Sequence, residues 1–102
     1  MTMVLAFGRN KQGSKHPLSA IHWADFRCSL LYHVRNYATL VADATGIGYD
    51  TTTGEQEDCF IMVLGDVSDA VAVQSVCANV AGLYDQKEYA LVKGATEFVR
   101  AI

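Results

Sequence analysis

The chain has 102 residues, a formal net charge of −3 and a pI near 5.4, with 51% hydrophobic and 19% charged residues. That length allows one domain, 1–102, able to bury roughly 60 to 65% of its unfolded surface without staples, and leaves no room for a second. The charge excludes the clustered basic footprint of a nucleic-acid binder, and the shortage of polar residues favours an oligomer over a monomer.

Thr2 to Phe7 is short and apolar and reads as a strand. Residues 8–16, GRNKQGSKH, are polar, glycine-bearing and basic, and read as a flexible basic loop. Their glycines, lysines and serine nearly spell a phosphate loop. Lysine and serine are transposed, however, which misplaces both the phosphate lysine and the magnesium hydroxyl, so looser anion binding by Arg9, Lys11 and Lys15 is the stronger reading. Pro17 suits the first helical position, and from there to about Tyr37 a sharp stripe of Trp23, Phe26, Leu30, Val34 and Tyr37 predicts an amphipathic helix.

Ala38 to Tyr49 alternates like a strand and bends near Gly46 and Gly48, and Asp50 to Glu55 is turn chemistry. Beyond it six consecutive residues, Cys59 to Leu64, are all apolar and predict a central strand that forms an antiparallel hairpin with its predecessor. A second helix is expected to start at Val67-Ser68-Asp69, capped by Asp66 or Ser68 with Asp69 in its first turn. Its core face would be Val73, Val76, Cys77, Val80, Leu83 and Tyr84. A strip of small residues, Val71, Ser75, Ala78 and Gly82, lies opposite. Glu88 to Lys93 alternates like a last strand, while the final ATEFVRAI fits either a helical turn or a strand.

The order is strand, helix, strand, strand, helix, strand. It predicts an α+β fold, an antiparallel sheet with two helices on one face in the ferredoxin-like βαββαβ order. Because the helices cover one face only and the central strand is apolar at every position, a homodimer that buries the other face is expected. Three cysteines, Cys28, Cys59 and Cys77, are odd in number and lack metal-ligand spacing, which predicts reduced thiols and a cytoplasmic protein. No apolar run is long enough for a membrane span and no leader pattern opens the chain, so neither membrane nor nucleic acid is an expected partner.

No stretch carries a catalytic or cofactor signature. Asp25, Ser29 and His33 share one side of the first helix, but a triad needs histidine in the middle, and at 1.5 Å per residue Asp25 stands ~12 Å from His33. His22 and Asp25 are spaced for a local ion pair, and Cys28 has no histidine in helical reach. Asp50, Glu55, Glu57 and Asp58 gather at one end of the hairpin, where they solubilise the tip more readily than they hold Mg²⁺ or Ca²⁺. Tyr49, Tyr84, Tyr89 and Trp23 suit either the core or a small-molecule pocket.

The resulting reading is a non-enzymatic, oligomeric binding module for a small molecule or a protein partner, with no cofactor and no metal. Arg9, Lys11, Lys15, His22, Asp43 and Tyr49 are its candidate ligand-binding residues. The alternatives are a small enzyme whose site is completed at a subunit interface by His22, His33 or an acidic residue, and an acidic inhibitor that covers another protein's basic surface.

Overall fold

The computed structural model describes residues 1–11, 16–49 and 54–101. Four strands and two helices follow in the expected order: β1 (Thr2–Gly8), α1 (Ala20–Val34), β2 (Ala38–Tyr49), β3 (Gln56–Val67), α2 (Ala70–Leu83) and β4 (Ala90–Gly94). The strands form one antiparallel sheet in the order β2-β3-β1-β4, which with two helices on one face is the ferredoxin-like α+β arrangement.

Alternation decides the two faces of this sheet. Met3, Leu5 and Phe7 on β1 and Phe60, Met62 and Leu64 on β3 point to the helices and are buried. They meet Trp23, Phe26, Leu30 and Val34 of α1, the stripe read from the sequence, and Val73, Cys77 and Val80 of α2. Aromatic rings lock this layer: Phe7 meets Phe26 edge-on at 5.6 Å and stacks on Tyr89 at 5.1 Å, and Phe26 stacks on Tyr84 at 5.1 Å. Trp23, Tyr84 and Tyr89 are therefore core, and of the four aromatic candidates only Tyr49 is exposed.

Several boundaries differ from those expected, each for a local reason. Pro17 does not open α1. It bridges Asn10 across the loop, and Ser19 caps the helix instead, its Oγ accepting the His22 amide at 3.2 Å. Beyond Val34 the chain tightens into a 3₁₀ turn, Arg35–Tyr37, before β2. Asp69, expected inside the first turn of α2, is its cap and accepts the Ala72 amide at 3.0 Å. Ala81 takes the core position expected of Leu83, which is 81% exposed.

The central strand is also longer than its apolar run, reaching Val67, because Asp66 turns at a φ of 53° rather than ending the ladder at Gly65. Its side chain accepts from Thr39 Oγ1 at 2.9 Å, and its amide donates to Thr96 Oγ1 at 3.0 Å. Beyond β4, residues 95–101 form neither helix nor strand. The long β2–β3 hairpin gives the molecule its elongated outline of 46 × 25 × 21 Å.

Candidate functional site

The expected site residues do not converge. Arg9 is committed to the fold: its Nε donates to the Leu18 carbonyl at 2.9 Å and its Nη1 pairs with Asp58 at 3.0 Å. Lys11 is exposed and its backbone amide bonds the His16 carbonyl, while Lys15 lies outside the described residues, as does the second half of the near-phosphate-loop pattern. His22 is exposed on α1 and forms no ion pair with Asp25; among the described residues the ion pair is Arg9–Asp58. His33 uses its Nδ1 on the Ser29 carbonyl at 2.7 Å, so it is engaged along its own helix and not with the Ser29 hydroxyl. Tyr49 stands near the hairpin end, its hydroxyl accepting from Gln56 Nε2 at 3.4 Å.

Asp43 sits elsewhere, in an apolar groove of about 450 Å³ between α1 and β2 with Cys28, Leu31, Tyr32, Arg35 and Val41. The Arg35 guanidinium lies over the Tyr32 ring, 4.3 Å from its centroid. Arg9, by contrast, is brought together with Asn10, Gln56, Glu57 and Asp58 in a cleft of about 360 Å³ toward the loop end of the hairpin. Adjacent strand residues point to opposite sides, which splits the acidic cluster that the sequence groups as one. Asp58 pairs with Arg9 on the helix side; Glu57 projects onto the open face of the sheet.

The helices leave the other face of the sheet open, as the element order predicts. β3 contributes Cys59, Ile61 and Val63 to it, β2 contributes Leu40, Ala42 and Ala44, and Val4, Ala6, Ala90 and Val92 come from β1 and β4. Apart from Glu57, no position on it from Thr2 to Gly94 carries a charge. Within one chain the central strand hides one face, and Val63 on the other remains 40% exposed.

At its Glu57 end the face has side-chain-free neighbours, and they are needed there. A Cβ on Gly8 would fall 2.5 Å from the Glu57 carboxylate, and one on Gly48 would fall 2.7 Å from Cys59 Sγ. Glu57 therefore lies across Gly8, where its Oε2 accepts the Asn10 amide at 2.8 Å. Asn10 is held in turn by Gln86, whose buried Nε2 donates to the Asn10 carbonyl at 2.8 Å. Burial, and then the neighbouring Glu57 and Asp58 charges, push the Cys59 thiol up against a smaller opposing effect of the Gly48 backbone, so it is protonated at neutral pH and a poor nucleophile.

Sequence reasoning missed Asn10 and Gln86, and grouped Glu57 with the other acids of the hairpin end without separating it from Asp58. Glu57 was legible in principle, since Glu57, Cys59, Ile61 and Val63 share one parity and Asp58, Phe60, Met62 and Leu64 the other. Gln86 carried no such signal. The three thiols are free, with Cys28 exposed and Cys77 buried, and among the described residues no three His, Cys, Asp or Glu side chains gather as metal ligands. Nor is any helix among them long and apolar enough to cross a membrane.

No family model and no curated protein matches the chain. Solved structures do match in fold. A phage SAM lyase in its apo state superposes with a TM-score of 0.62 at 11% identity, covering 88% of this chain and 75% of that one. The phage SAM lyase in complex with S-methyl-5′-thioadenosine gives 0.58 at 11% identity, covering 88% and 76%. A DUF3240 family protein from Shewanella baltica gives 0.59 at 7% identity, over 98% of this chain and 96% of that one. At these identities the likeness is one of fold.

Proposed function

We propose that the chain is a self-associating small-molecule-binding module, its copies joined through the open sheet face and its ligand held at the Glu57 end of that face. The observation that carries the reading is the face itself: apolar on all four strands and charged at one position only. Soluble monomers rarely expose contiguous apolar patches above a few hundred Å². A second copy is the occupant this surface fits, because Ala6, Ala42, Ala44 and Gly46 allow the close approach of another sheet, typically ~10 Å away. Glu57 then becomes a carboxylate at the margin of a dry interface, bonded by the Asn10 amide and lying across Gly8, with its other oxygen available to a ligand.

A carboxylate in that setting favours a ligand bearing a positive centre and apolar bulk. SAM has both. SAM and S-methyl-5′-thioadenosine are the probes to try first, since the fold is shared with an enzyme solved with the latter. The same likeness favours a second reading, in which Glu57 takes part in turnover. Thermal shift with each compound tests binding: the midpoint of the unmodified protein should rise, and that of Glu57→Gln should not. Gly8→Ala, which displaces the carboxylate, should also blunt the response. No rise with either compound would sink the choice of ligand. Chromatographic depletion of SAM that Glu57→Gln abolishes would establish the enzyme reading over the binding module.

A further inference from the structure

We infer that residues 97–101 form an arm that adds to the free edge of β2 in a second copy of this chain. β2 is an edge strand of twelve residues whose register with β3 runs unbroken from Leu40 to Tyr49, with no bulge to turn it away. It contains no lysine and no proline, and Asp43 is its one charge. Long regular edges of this kind are normally blunted by such residues or covered. Beside it lies the groove of Cys28, Leu31, Tyr32, Arg35, Val41 and Asp43, in which the Arg35 guanidinium is stacked on the Tyr32 ring.

The arm has the complementary pattern. Thr96 is fastened to the end of the sheet, 2.6 Å from Thr2 Oγ1 and 3.0 Å from the Asp66 amide, and beyond it Phe98 and Val99 are 68% and 75% exposed. In an extended segment Phe98 and Arg100 share one side, two residues apart, as Val41 and Asp43 do on β2. A parallel pairing seats Phe98 over Val41 and Leu31 and brings Arg100 to Asp43. Neither Arg100 nor Asp43 has a charged partner within the described chain. Five residues at ~3.3 Å each make a strand of ordinary length, so backbone hydrogen bonds contribute along with the two side chains. This contact is separate from the sheet-face association.

Amide hydrogen exchange on the full chain tests it, with light scattering on the same samples. Protection of the outward β2 amides should rise with protein concentration and be lost in Phe98→Glu, in Asp43→Arg and in Arg100→Asp. The double variant Asp43→Arg with Arg100→Asp should regain it. All these positions are exposed, so circular dichroism should report an unchanged fold. Fast β2 exchange at every concentration would overturn the inference. So would protection that is independent of concentration, which would mean that the arm covers its own chain, or protection that the single variants leave intact. Val63→Lys, which tests the sheet face, leaves the arm and groove untouched and so separates the two failures.

Discussion

Val80 and Leu83 lie one turn apart on α2 and have opposite fates, which makes the helix phase testable at single residues. Val80 is 4% exposed among Phe26 and its neighbours, so Val80→Asp buries an unpaired charge and should cost several kcal/mol, enough to unfold a domain whose total stability is ~5 to 15 kcal/mol. Leu83→Asp should change stability by less than about 0.5 kcal/mol, as surface substitutions usually do. Denaturant midpoints for both variants check the pair. Cys77 gives a second test. Burial pushes its thiol from 9.0 up to about 12, so the folded state holds a proton that the unfolded chain has released. Stability from this group is complete below about pH 9 and falls between about pH 9 and about 12, by up to about 1.4 kcal/mol per pH unit. Urea midpoints across that range should fall less steeply for Cys77→Val than for the unmodified protein, and parallel curves would contradict the assignment.

Elements were legible in the sequence where their cause is periodic. The stripe of α1 and the apolar run at the heart of β3 depend on burial repeating along the chain, and each stands where the pattern puts it; β2 stands where its alternation puts it although none of its residues is buried. Boundaries depend on single side chains competing for backbone groups, and there the sequence was ambiguous: Ser19 displaces Pro17 as the start of α1, and Asp69 displaces Asp66 and Ser68 as the cap of α2. The C-terminal end of α2 follows the same rule. Asp85 takes a φ of 58° and lets the Gln86 amide reach the Ala81 carbonyl at 2.9 Å, a closure usually given to glycine. Asp85→Gly removes the side-chain cost of that conformation and should raise the unfolding free energy by about 0.5 to 1 kcal/mol, read from the thermal midpoint. The candidate site was less legible because its parts come from distant segments. Gln86, Asn10, Gly8 and Glu57 form one relay only after β1 has paired with β3 and α2 has packed beneath the loop.

For the whole molecule, the sequence indicated a surplus of apolar surface without locating it. Ile47, although 71% exposed, does not belong to the uncovered face: it sits on the helix side of β2, paired with Asp58, where the hairpin outruns the helices. The small strip of Val71, Ser75, Ala78 and Gly82 is exposed on α2, but the sheet offers the broader uncharged surface, and Val63 is at its centre. The central claim is that copies of this chain meet there. Light scattering at about tens of micromolar measures it directly. The account predicts a mass that is a multiple of the 11.1 kDa chain for the unmodified protein, lowered by Val63→Lys with the far-ultraviolet spectrum unchanged. A mass of 11.1 kDa for the unmodified protein, or an assembly that Val63→Lys leaves intact, would contradict it.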